Sequence, residues 1–132
     1  MTQEQKDLLF KDLCMRLPYG IKVEIKHHDD AWKLLAIYTN GTTYATRDIG
    51  YPIETYFEDC KPYLFPLSSM TEEQSKELEE IDPEFYSLIC GNGDIYVSMD
   101  VRGYDWLNKN HFDYRGFIPM GLAIDATGLN IY

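Results

Sequence analysis

An α+β fold, with residues 1–132 forming one domain, is predicted by three observations. Two capping boxes, Thr2 with Gln5 and Thr71 with Gln74, mark helix starts, because each hydroxyl and amide pair satisfies orphan backbone donors of a first turn. Ile21, Val23 and Ile25 alternate with Lys22, Glu24 and Lys26, the period of a half-buried strand. Asn40-Gly41 separates two further β-like runs and has the chemistry of a tight hairpin turn. The expected arrangement is an N-terminal helix packed on a mainly antiparallel sheet, with an acidic surface helix and a short aromatic helix near the C-terminus. A chain of 132 residues buries roughly two-thirds of its unfolded surface, enough for a core without metal or disulfide staples.

The first helix is expected over residues 2–17, where Leu9, Leu13 and Leu17 recur at four-residue spacing beside Phe10 and Cys14. Pro18-Tyr19-Gly20 ends it, because proline cannot continue the ladder. A strand follows from Ile21 to His27, then the polar turn His28-Asp29-Asp30. From Ala31 to Thr39, Trp32, Leu34, Ala36 and Tyr38 fall on one face and Leu35 and Ile37 on the other, the pattern of a central strand. Residues 42–46 make a third strand. Between Tyr51 and Ser69, Pro52, Pro62 and Pro66 argue against a long helix or a central strand. That stretch reads as irregular apolar chain over the sheet, or as a short strand or helix between prolines. Glu72 to Ile81 is almost wholly polar apart from Leu78 and Ile81, as expected of a solvated helix ending before Pro83. Two strands, 85–90 and 94–99, joined by Gly91-Asn92-Gly93, have the form of a hairpin. Residues 105–112 read as a short helix, and 117–132 as loop or strand.

Net charge is −10 with a pI of about 4.6, which argues against direct binding to nucleic acid or to an anionic membrane. No apolar run is long enough to span a bilayer. The N-terminal residues lack the basic and apolar regions of a signal peptide, so a cytoplasmic protein is expected. Three cysteines, Cys14, Cys60 and Cys90, are neither a disulfide framework nor a Cys-x-x-Cys zinc spacing. Each lies among apolar or aromatic neighbours, as buried free thiols do. Glu58 and Asp59 oppose thiolate formation at Cys60.

Among possible chemistries, His27-His28-Asp29-Asp30 is a poor metal site, since adjacent strand residues face opposite ways. Gly91-Asn92-Gly93 lacks the lysine and helix start of a phosphate loop. Glu84 and Asp94 offer paired carboxylates of glycosidase type only weakly. No metal or cofactor is expected. The densest candidate is the run from Tyr104 to Phe117. There Tyr104, Trp106, His111, Phe112, Asp113, Tyr114, Arg115 and Phe117 combine aromatic anchors with a histidine, a carboxylate and a guanidinium. His111 with Asp113 or Asp105 could form an acid–base pair of a small hydrolase, but no nucleophile motif accompanies it.

Two stretches carry a resemblance. Lys61 to Thr71 and Asp105 to Leu122, above all Trp106-Leu107-Asn108, His111-Phe112-Asp113-Tyr114-Arg115-Gly116 and Gly121-Leu122-Ala123, resemble short proteins of prophages and other mobile elements in gut Bacteroidetes. The resemblance implies a bacterial, phage-related setting. It carries no activity, cofactor or catalytic residue.

The expected function is therefore an accessory protein that binds another protein, with Tyr104, Trp106, Phe112, Tyr114 and Phe117 as anchors if they are exposed. Self-association is a further option. A second expectation is an acidic mimic of nucleic acid, with Glu72, Glu73, Glu77, Glu79, Glu80, Asp82 and Glu84 on one surface.

Overall fold

The computed structural model describes residues 1–83 and 101–132. The hairpin expected between residues 85 and 99, together with Glu84, Cys90 and Asp94, lies outside the described residues.

Helix α1 (Gln3–Arg16) opens on the expected capping box, in which Gln5 N–H donates to Thr2 Oγ1 and Thr2 N–H to Gln5 Oε1. It buries Leu9 and Leu13, each such side chain contributing about 1.5–3 kcal/mol. Asp12 and Arg16 are buried on the same helix, which the leucine spacing alone does not announce. Pro18 lies within a single 3-10 turn, Leu17–Tyr19, and Gly20 closes it in the left-handed region at φ 71°.

The chain then enters the sheet. Strands β1 (Lys22–Ile25), β2 (Ala31–Ile37), β3 (Thr42–Thr46) and β4 (Ile53–Tyr56) form an antiparallel meander. β5 (Cys60–Pro66) returns to pair antiparallel with β1, and the sheet runs in the order β4-β3-β2-β1-β5. Beyond β5, two short strands pair with it in parallel: β6 (Phe112–Asp113) against Phe65 and Pro66, and β7 (Ile124–Asp125) against Tyr63 and Leu64. The fold is α+β with a mostly antiparallel sheet.

The middle of the chain corrects the sequence-based expectation, for β5 is paired on both edges despite Pro62. The ladder explains the tolerance. Lys26 N–H donates to Asp59 O, and bonded pairs alternate along an antiparallel ladder. Val23 and Pro62 therefore meet at a pair that exchanges no bonds, so the missing N–H of Pro62 costs β1 nothing. Pro66 ends the strand.

A second correction concerns β2. The register passes from Leu34↔Ala45 to Ala36↔Tyr44, so a bulge inserts one residue and switches the phase. Trp32 and Leu34 are buried, but Ala36 then shares the outer face with Tyr44, Ile37 packs against the core and Tyr38 is exposed.

Two apolar clusters result among the described residues. One lies between α1 and the inner sheet face and joins Leu9, Leu13, Ile21, Val23, Ile25, Trp32, Leu34, Cys60 and Leu64 to Phe117, Leu122 and Ala123. The other joins Leu78 of α2 (Glu72–Ile81) to Trp106 and Leu107 of α3 (Val101–Lys109) and to Phe112. The aromatic helix thus ends earlier than expected. His111 takes φ 62°, outside helical geometry, and Phe112 belongs to the sheet. The last segment contains one turn of helix, α4 (Phe117–Met120), before β7.

Candidate functional site

The Tyr104–Phe117 run is a structural joint. Trp106, Phe112 and Phe117 expose 5%, 1% and 0% of their surface, so these three rings are core and not the exposed anchors the sequence suggested. Trp106 stacks on Phe112 with centroids 5.6 Å apart and planes at 14°, and its Nε1–H donates to Glu77 Oε1 at 3.1 Å. Tyr104 and Tyr114 are half-buried and pack on each other at 5.3 Å.

The polar residues of the run tie it to α1. Asp12, wholly buried, accepts from Arg16 Nε at 2.9 Å and from Arg115 Nε at 3.0 Å. Arg16, also wholly buried, donates from Nη2 to Phe112 O at 2.7 Å. The Tyr114 ring is close to both guanidinium groups, its centroid 5.2 Å from Arg16 and 5.0 Å from Arg115. Its hydroxyl donates to Asn108 Oδ1 at 2.9 Å, and burial pushes its pKa up against the opposing pull of both arginines.

Asp113 and His111 do not form a catalytic pair. Both Asp113 oxygens accept backbone donors, Phe117 N–H and Ile118 N–H, each at 2.9 Å, so the carboxylate holds the start of α4. His111 instead stacks on Tyr132, and its buried Nδ1 makes no hydrogen bond among the described residues. Burial, helped by the Arg16 charge, lowers its pKa to about 4. A base that weak accepts protons poorly at neutral pH. Asp105 is exposed on α3. The geometry brings together a buried ion network and lends no support to an acid–base pair.

Cys60 is buried, and desolvation together with Asp59 pushes its thiol up to about 12. Among the described residues, no group of three or more His, Cys, Asp or Glu side chains converges on a metal-sized site. No helix among them is long and apolar enough to cross a membrane.

The acidic helix is as exposed as its composition suggests: Glu72, Glu73, Glu77, Glu79 and Glu80 all face solvent, with Leu78 alone fully buried. Asp82 departs from that surface. It is buried at the C-cap of α2.

Five of the exposed large apolar side chains lie on the meander and its β3–β4 loop, which sequence reasoning passed over. Register places Ala36, Thr42, Tyr44, Glu54 and Tyr56 on the outer face. Leu35 and Tyr38 are exposed beside them, with the Tyr38 and Tyr44 rings edge to face at 5.7 Å. In the β3–β4 loop, Ile49 and Tyr51 expose 81% and 92% of their surface. Tyr56 is pinned over the hairpin tip, its hydroxyl donating to Asn40 O at 2.7 Å. Its ring fills the space a Cβ would need at Gly41, whose φ of 93° also requires glycine. The available signal was the tyrosine-rich stretch from Tyr38 to Tyr56, but the bulge that turns it outward has no local signature.

Comparison of the chain with protein-family models, with curated proteins and with solved structures gave no match.

Proposed function

We propose that this chain is a non-catalytic accessory protein that binds another protein through the outer face of β2–β4. One observation carries the reading: five large apolar side chains of the meander are exposed, Leu35, Tyr38 and Tyr56 on β2 and β4 toward the Asn40-Gly41 turn and Ile49 and Tyr51 in the β3–β4 loop. Tyrosine combines a rigid ring with a polar tip and is enriched at recognition surfaces. A net charge of −10 opposes docking of a second copy and favours a partner with a basic rim around an apolar centre. The resemblance to mobile-element proteins is compatible with an accessory role.

Capture from source-cell lysate with matched variants tests this. The combined variant L35S/Y38S/Y51S is expected to lose a partner that wild type and E79Q/E80Q both retain, with no change in melting temperature. A partner held equally by all three proteins would overturn the proposal. Loss from E79Q/E80Q alone, with release by salt, would favour the second reading, an acidic mimic. That reading rests on the exposed glutamates of α2 and has already lost Asp82 to the interior.

A further inference from the structure

A cleft of about 610 Å³ opens beside that face, lined by Lys22, Lys33, Thr46, Asp48 and Ile49 and by the Asp30–Arg47 ion pair. Its volume is that of a small-molecule site.

Charge placement gives the cleft its character. Leu34 N–H donates to Ile21 O at 3.1 Å, so Ile21 and Leu34 form a bonded pair of the β1–β2 ladder. The next pair, Lys22↔Lys33, then exchanges no bonds, the position at which opposed side chains stand closest. Like charges placed there repel. In a chain with 22 acidic and 12 basic residues, such a pair is easily avoided. Lys22 Nζ donates once, to Ile131 O at 3.0 Å, and an ammonium has further donors to offer. Lys33 makes no ion pair among the described residues.

The remaining charges divide the cleft. Arg47 is held in place, donating from Nη1 to Asp30 at 3.2 Å and from Nε to Ile49 O at 3.1 Å, with its guanidinium 4.9 Å from the Trp32 ring centre. Asp30 is thereby paired. Asp48 has no partner of this kind among the described residues. The lining thus offers the Lys22 and Lys33 ammonium groups and the Asp48 carboxylate outside the Asp30–Arg47 pair.

We propose that this cleft binds a hydroxylated phosphomonoester of sugar-phosphate size, with its phosphate between Lys22 and Lys33 and a hydroxyl donating to Asp48. The anion removes the repulsion between the lysines, and the carboxylate selects a ligand that also carries donors. Nothing in the protein-binding proposal requires this site.

Titration calorimetry with inorganic phosphate, glucose 6-phosphate and glucose tests it. Glucose 6-phosphate is expected to bind at least tenfold more tightly than phosphate, and glucose not to bind. K33E should abolish binding of both anions while raising the melting temperature of the free protein, since it replaces repulsion by attraction. D48N should bring glucose 6-phosphate down to the affinity of phosphate. Absence of binding by wild type, or binding unchanged in a folded K33E, would overturn the proposal.

Discussion

His111 and Tyr132 lie face to face, ring centroids 3.7 Å apart and planes 10° from parallel. This contact seats the last residue of the chain against β1 and β5. The Tyr132 hydroxyl donates to Tyr63 O at 2.8 Å and accepts from Lys22 N–H at 3.0 Å. Part of the ring surface remains exposed, but the hydroxyl is enclosed, and burial pushes its pKa up. Y132F keeps the stack and removes both bonds. It should destabilise the protein by about 1–3 kcal/mol, because the Lys22 donor is left without its partner. Denaturant unfolding measures the loss, and faster hydrogen exchange at the Lys22 amide locates it.

His111 also predicts a pH dependence. Its folded pKa, about 4, lies below the ordinary value of 6.5, so the unfolded chain binds the proton more readily. The corresponding stability is present above pH 6.5 and is lost as pH falls from there through 4. H111N should flatten the melting-temperature profile across this window. Asparagine is the suitable replacement, because the position holds φ at 62° and asparagine tolerates the left-handed region. A profile identical to that of wild type would show that another group controls the acid limb.

Asp12 is the carboxylate shared by Arg16 and Arg115. D12A leaves the buried Arg16 guanidinium uncompensated and should cost about 3–5 kcal/mol in urea unfolding. D12L/R16M removes both buried charges at similar volume and should recover the larger part of that loss. Recovery stays incomplete, because Phe112 O and Arg115 lose partners as well.

These positions show how much could be read from the sequence. Both capping boxes, the inward set Ile21, Val23 and Ile25, and the exposed glutamates of α2 follow local rules and were legible. The role of the aromatic run was not. A helix pattern indicates which side of α3 is apolar, not what covers it, and the cover comes from Phe65, Leu78 and Ile81, far away in sequence. Pro62 misled for a related reason, since whether a missing N–H matters depends on ladder phase, set by the partner strand. Asp12 and Arg16 stand four residues apart, a spacing that signals an ion pair, but burial of that pair depends on Phe112 and Arg115 arriving from the other end of the chain.

Asp113 is expected to matter for stability through α4. D113A removes the acceptor of Phe117 and Ile118 N–H and should cost about 2 kcal/mol by thermal or denaturant unfolding, the upper range for loss of a helix cap. D113N, which keeps one acceptor oxygen, should lose less.

Cys60 should resist alkylation in the native state, with its thiol held at about 12 and its side chain enclosed. Half-buried Cys14 should react first. Mass spectrometry of iodoacetamide-treated protein, with and without urea, distinguishes them: modification of native Cys60 at the rate of Cys14 would contradict its burial.

The core beneath α1 is completed by Phe117, Leu122 and Ala123, and β5 obtains its parallel neighbours only from β6 and β7. During translation, the meander and α1 emerge long before the residues that seal them. The nascent chain must therefore carry an open apolar face and an unpaired β5 edge until residues 112–125 have emerged, a state prone to sticking. Closure is then a late, long-range step, slowed by the chain entropy of joining distant segments. The interval before that step is when a chaperone has most to do.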